Sequence, residues 1–165
     1  MHLQIQEIKE NELEAVQRLS QEIWPIYYKE IITQAQIKYM LETLYSISAL
    51  ERAMQAGQRF LLARLDETPV GYAGFEPNLQ SNKQCKLNKL YVLPQLHGSG
   101  IGKALFENVI FQAKLHHCSS LFLQVNKKNP AIHFYEKVGM YVREEAVFDI
   151  GNGFVMDDYI MQLDW

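Results

Sequence analysis

Polar and apolar residues alternate through His2-Leu3-Gln4-Ile5-Gln6, the period-two signature of a short strand. The period then lengthens. Leu13, Val16 and Ile23 form a helical stripe, and Asn11 with Glu14 has the form of a capping box at its start. Thr33 with Gln36 and Ser48 with Glu51 repeat that start signal, so two more short helices are expected, the second ending at Gly57. Arg59–Leu65 and Val70–Phe75 are strand-like runs, separated by Asp66-Glu67-Thr68-Pro69 as a hairpin turn. The polar stretch Pro77–Lys83 reads as the next turn, and Lys86–Leu93 as a strand that Pro94 stops.

Gly100 opens a helix whose apolar positions Leu105, Phe106, Val109, Ile110 and Ala113 recur at three- and four-residue spacing. Leu121–Val125 is a continuous apolar run, the mark of a strand buried on both faces. Asn129 before Pro130 predicts a helix N-cap with proline at the first helical position, and Gly139 ends that helix. Tyr141–Ile150 and Phe154–Leu163 read as two final strands turned at Gly151-Asn152-Gly153. The order is strand, helices, three strands, helix, strand, helix, two strands. It predicts a mixed sheet flanked by helices, an α/β architecture.

Composition narrows the functional classes. The chain has 165 residues, a length suited to a single domain over 1–165, and no repeat or linker interrupts it. Sixteen Lys plus Arg against nineteen Asp plus Glu give a net charge of −3, with no basic footprint for nucleic acid. Two cysteines, Cys85 and Cys118, are too few for a disulfide framework and suggest reduced thiols. The start, MHLQIQEIKENELE, turns acidic too early for a signal peptide, and no apolar run approaches the roughly 20 residues that span a bilayer. A cytoplasmic protein without a membrane partner is the expectation. His97, His116, His117 and His133 lack metal-ligand spacing, so no metal is expected.

The chemistry concentrates in His97-Gly98-Ser99-Gly100-Ile101-Gly102-Lys103. At a strand-to-helix turn, successive amides and the helix N-terminus make a seat for phosphate. A dinucleotide fingerprint fails here, because Lys103 stands where G-x-G-x-x-G needs its third glycine. A nucleotide-hydrolysing P-loop fails too, since His97 and Ala104 occupy its first glycine and its magnesium-binding hydroxyl. A tight turn that binds nothing is the plain alternative.

The same stretch resembles motif A of the GNAT N-acetyltransferase superfamily, R/Q-x-x-G-x-G/A, as His97-x-x-Gly100-x-Gly102 after Leu90-Tyr91-Val92-Leu93-Pro94, with His97 in the place of Arg or Gln. Asn129, Ala131, Phe134-Tyr135 and Gly139 resemble the family's motif B, with Met140 for the usual Phe. The resemblance implies a mixed, mostly antiparallel central sheet of about seven strands flanked by helices and splayed between strands four and five. It implies acetyl-CoA as cosubstrate, its pantetheine arm along Leu90, Tyr91 and Val92 and its pyrophosphate on the amides of Gly98, Ser99, Gly100, Ile101, Gly102 and Lys103. His97 lies beside these, Asn129 would hold the pantetheine, and Tyr135 would point its hydroxyl at the sulfur as the catalytic acid. It also allows a homodimer. Asn129 as a plain helix cap and Tyr135 as a core aromatic remain open readings.

Acetyl transfer from a thioester to an amine needs a neutral amine, a donor for the oxyanion and a proton for the leaving thiolate. Many family members carry a Glu on strand four, where this chain has Lys86 and Asn88. Glu76 and the pair Asp157-Asp158 are the other candidates for the base, directly or through water. The acceptor groove implied by the resemblance brings Trp24, Tyr27 and Tyr28 toward Asp157 and Asp158. Aromatics with carboxylates suit a cationic amine, and the layout is similar to bacterial polyamine acetyltransferases of this class. The sequence therefore leaves three functions open: acetylation of a polyamine-like amine, acetylation of a protein or peptide amine, and silent binding of acyl-CoA.

Overall fold

A computed structural model describes residues 1–77 and 82–165. Most of the turn expected between Pro77 and Lys83 lies outside the described residues. The chain opens with β1 (Leu3–Glu7) and the helices α1 (Leu13–Tyr27), α2 (Gln34–Leu44) and α3 (Ile47–Gln55). Then follow β2 (Arg59–Leu65), β3 (Thr68–Glu76), β4 (Gln84–Val92), α4 (Ile101–Leu115), β5 (Ser120–Asn126), α5 (Ala131–Lys137), β6 (Tyr141–Gly151) and β7 (Phe154–Asp164).

The α1 stripe is real: Leu13, Val16, Leu19, Ile23 and Trp24 are buried at three- and four-residue intervals. Its predicted cap is not. A 3-10 turn over Glu10–Glu12 precedes the helix and leaves Glu12 at the cap position, without a side-chain bond. Thr33 does cap α2, accepting from the Gln36 amide at 3.1 Å. For α3 the cap is Ser46 rather than Ser48, since Ser46 is extended and accepts from the Ala49 amide at 3.2 Å. The β2–β3 turn is tighter than expected. Asp66 and Glu67 alone form it, and Thr68 and Pro69 already pair with β2.

The seven strands make one sheet in the order β1-β2-β3-β4-β5-β7-β6, antiparallel except for the parallel β4–β5 pair. That pair is short. Gln84, Cys85 and Lys86 face Ser120, Leu121 and Phe122, and beyond Lys86 the two strands have no partners in each other. Yet β3 pairs with β4 as far as Val92, and β5 pairs with β7 as far as Asn126. Each half-sheet stays whole while the middle opens, the splay expected between strands four and five.

Asn88 marks a bulge beside this opening, because Gly74 pairs with Lys89 and Phe75 with Leu87, leaving Asn88 no partner on β3. Trp24 of α1 packs on Tyr91 of β4 and Ser20 bonds Tyr72 of β3, so α1 covers that face of the sheet. Val92 leaves β4 on the opposite face by strand alternation and lies near the first turn of α4. One continuous buried core runs through both layers. The apolar run in β5 is interrupted at Gln124, which is exposed.

Candidate active site

The opening between β4 and β5 is a cavity of about 1370 Å³. Leu87–Val92 line one side, and Leu123–Asn126 line the other. A gap of this kind has unpaired strand backbone on its walls, ready to bond an extended ligand.

At one end lies the glycine turn. Gly98 and Gly100 have φ of 83° and 89°, the left-handed region that favours glycine. A Cβ at either position would meet nothing within 4 Å, so glycine is required there by backbone angle and not by crowding. Gly100 is the N-cap of α4, and its carbonyl accepts from the Ala104 amide at 3.0 Å. The amides of Ile101, Gly102 and Lys103 therefore come before the first intrahelical bond and remain available to an anion. Ser99 is turned away. Its amide and hydroxyl both bond Leu96 O, at 3.2 and 2.5 Å, and it does not line the cavity. His97 braces the turn, donating from Nε2 to Val92 O at 3.0 Å with its ring edge-on to Tyr27. Leu90, Tyr91, Val92, His97 and Gly98 all line the cavity.

α5 starts at Ala131 with Pro130 rather than Asn129 at the cap position, yet the capping bond expected of Asn129 forms: its Oδ1 accepts from the Ala131 amide at 2.8 Å and also from the Tyr27 hydroxyl. Tyr27 thus ties α1 to the start of α5 across the cavity wall. Tyr135 is buried on α5, held between Phe106 and Phe134 by ring contacts. Burial raises its phenol well above the usual tyrosine range, with the Tyr27 phenol adding to the shift. The hydroxyl keeps its proton at neutral pH, and among the described residues it has no hydrogen-bond partner.

Trp24 and Tyr28 line the cavity and are also core. Their rings lie 4.3 Å apart, and the Tyr28 hydroxyl bonds the Tyr91 hydroxyl at 2.7 Å. The three carboxylates expected near the acceptor separate. Asp158 lines the cavity and is 4% exposed, with Oδ1 buried and unpartnered. Asp157 turns to the other face of β7, where its Oδ1 meets Lys127 Nζ at 3.0 Å. Glu76 stands at the end of β3 opposite Lys86 and is not part of the cavity lining. Burial raises the Asp158 carboxyl to about 6, and Asp157 adds to the shift.

Sequence reasoning missed Lys89. It is buried in β4, lines the cavity and donates from Nζ to Gln58 Oε1 at 2.6 Å. Part of the signal was available, because Lys89 stands two residues before Tyr91 on the same row, while the bulge at Asn88 takes Leu87 off it. Among the described residues no three His, Cys, Asp or Glu come together as metal ligands, and no helix is long and apolar enough to cross a membrane.

The gap, the glycine turn and the buried tyrosine meet in one space. The Acetyltransferase (GNAT) family model matches residues 13–140, and the chain belongs to that family. An uncharacterized N-acetyltransferase of Mycobacterium bovis is 35% identical over 102 residues, 61% of this chain and 64% of that protein. The [ribosomal protein bS18]-alanine N-acetyltransferase of Haemophilus influenzae is 34% identical over 85 residues, 50% of this chain and 56% of its own. The chain thus matches less than two thirds of the length of these curated relatives. Among solved structures, PaiA N-acetyltransferase from Thermoplasma acidophilum in complex with coenzyme A superposes over 100% of both chains, with a TM-score of 0.84 at 23% identity. That likeness carries the fold, the seven-stranded mixed sheet with its parallel β4–β5 pair.

Proposed function

We propose that this chain transfers the acetyl group of acetyl-CoA to a primary amine. The observation that carries the reading is that the β4–β5 gap joins the glycine turn, Tyr135 and Asp158 in one cavity. The residues fit the cosubstrate: free amides of Ile101, Gly102 and Lys103 for a diphosphate, and unpaired β4 backbone for the amide-bearing pantetheine arm. When bound, acetyl-CoA supplies a reactive thioester.

The protein's own groups then have distinct tasks. Unpaired backbone N–H groups of β4 beside the Asn88 bulge donate to the carbonyl oxygen as charge develops on it. Asp158, ionised above about pH 6, accepts the proton that the ammonium form of the acceptor must lose. Amine nitrogen bonds to the acyl carbon as the carbon–sulfur bond breaks, Tyr135 passes its proton to the departing sulfur, and the second proton shed by the nitrogen on becoming an amide restores the Tyr135 phenol. A phenol held protonated by burial suits the donor role.

The polyamine expectation rested on Trp24, Tyr27 and Tyr28 with Asp157 and Asp158; the aromatics and Asp158 line the cavity, and Asp157 does not. Arg52, Lys86 and Lys89 line it as well, a poor match for a polycation. The test is release of free thiol from acetyl-CoA on addition of a panel of amines. Amine-dependent release supports the reading. Binding of acetyl-CoA with no release on any amine would make this a silent acyl-CoA-binding domain.

A further inference from the structure

Lys89 places a buried ammonium on the cavity wall without a carboxylate to neutralise it. It is 9% exposed, and its partner Gln58 is 7% exposed. The Nζ lies 5.6 Å from the centre of the Tyr45 ring and 5.5 Å from that of Phe60, so aromatic faces surround it where water would otherwise be. None of the ion pairs among the described residues includes it. A lysine has three N–H donors, and Gln58 Oε1 takes one of them. Burying an ammonium on such terms is costly, and buried charges are ordinarily paired.

The fold makes deliberate room for this group. A Cβ at Gly74 on β3 would lie 2.6 Å from Gln58 Oε1 and 3.3 Å from Lys89 Cδ, so any larger residue there would displace the pair. Lys86 and Arg52 line the same cavity, and Asn88 has a buried Oδ1 without a partner. The carboxylate whose field reaches Lys89 is Glu76. It lies outside the cavity lining, and its influence is smaller than the opposing influence of Lys86. Burial and Lys86 together bring the Lys89 ammonium down to about 8, the behaviour of a cation waiting for an anion. On β7, beyond β5 from this site, stands Asp158 with its own unpartnered oxygen. One cavity therefore carries a buried cation and a buried anion on separate strands.

We propose that Lys89, aligned by Gln58, seats a carboxylate of the acceptor, so that the acceptor is an amine bearing its own acid group. Its amine is drawn to Asp158 and its carboxylate to Lys89. A polyamine would instead bring like charge against Lys89. The inference rests on the acetyl-transfer reading for the fate of the amine, while the carboxylate seat itself stands apart from it. The acid group has two possible sources, a free amino acid or an acidic residue near a peptide N-terminus.

The experiment compares β-alanine, γ-aminobutyrate and glutamate with their carboxamides, a peptide beginning Ala-Glu with one beginning Ala-Gln, and spermidine. Acceptor-dependent thiol release is followed with the unaltered protein. The acids should exceed their amides by about tenfold or more in kcat/KM, mainly through KM, because an amide leaves the ammonium unpaired. Whether the free acids or the acidic peptide shows the larger preference identifies the source. Lys89→Met should bring the acids down to the level of the amides, and Lys89→Arg should restore part of the preference. Amides or spermidine performing as well as the acids would overturn the proposal, as would a Lys89→Met variant that lowers acid and amide alike. Calorimetric titration of the CoA-loaded protein with the same acids and amides separates the two claims. Selective binding of acids without acetylation upholds the carboxylate seat and refutes acetyl transfer. Acetylation of acids and amides alike does the converse.

Discussion

Asp157 and Asp158 are neighbours on β7 and face opposite sides of the sheet. Asp157 Oδ1 meets Lys127 Nζ at 3.0 Å outside, while Asp158 Oδ1 is buried without a partner at the cavity. Strand alternation alone requires one to face in and one out. Pairing of Asp158 with Asn126 on β5 decides which.

Asp158→Asn should lower kcat by ~10²-fold, the usual scale of a lost general base. In the unaltered protein kcat/KM should rise as pH passes through about 6, and the variant should lose that limb. Stability carries the same signature. The folded carboxyl titrates at about 6 against 3.8 unperturbed, so the fold binds the proton more tightly than the unfolded chain. Stability present with the protonated form is lost as pH rises across that window, and Asp158→Asn should flatten the decline. Asp157→Asn should keep the limb and move it to lower pH, because the Asp157 charge contributes to the upward shift of Asp158. Initial-rate pH profiles and urea melts across the same range check both variants.

Tyr135→Phe should reduce kcat by ~10²-fold while leaving CoA affinity nearly unchanged, since it removes one proton and no packing surface. Single-turnover rates beside calorimetric CoA titration distinguish the two parameters. Full activity would return Tyr135 to a packing role between Phe106 and Phe134.

Asn129→Ala removes an acceptor used twice, by the Ala131 amide and by the Tyr27 hydroxyl. Loss of the cap alone should cost about 1 kcal/mol. The stranded Tyr27 hydroxyl adds to this, so the total should exceed that of Tyr27→Phe in chemical denaturation. Tyr27→Phe also frees α1 from α5 and should raise KM for acetyl-CoA.

Gly100→Ala places a side chain at φ 89°, with no atom within 4 Å of the new Cβ. The cost is therefore conformational, about 1–2 kcal/mol. The N-cap of α4 should relax from the left-handed region to escape it and misdirect the amides of Ile101, Gly102 and Lys103. CoA affinity should fall more than thermal stability does. Equal losses would argue that the turn serves folding only.

Much of this was legible from local pattern. The strand that Pro94 stops, the left-handed Gly100 and the Asn129 capping bond each depend on residues close in sequence, and the structure has them in the expected form. The misreadings share a cause. Ser46 and Ser48 both precede the apolar pattern of α3, and the chain's path out of α2 chose between them. Asn11 lost its cap role because the chain enters α1 through a 3-10 turn. Lys89 was hidden by the expectation that a lysine on a strand faces solvent, although it shares its face with Tyr91 two residues on. The bulge at Asn88 depends on how β3 pairs with β4, information no single strand contains.

If the chain is an acetyltransferase, acetyl-CoA threads the gap between β4 and β5, with its diphosphate on the turn before α4 and its sulfur at Tyr135. A crystal structure of the acetyl-CoA complex measures this directly. Diphosphate oxygens should lie within hydrogen-bond reach of the amides of Ile101, Gly102 and Lys103, and the thioester sulfur beside the Tyr135 hydroxyl. A cofactor bound outside the gap, or a sulfur remote from Tyr135 with the acyl group turned from Asp158, would contradict that placement.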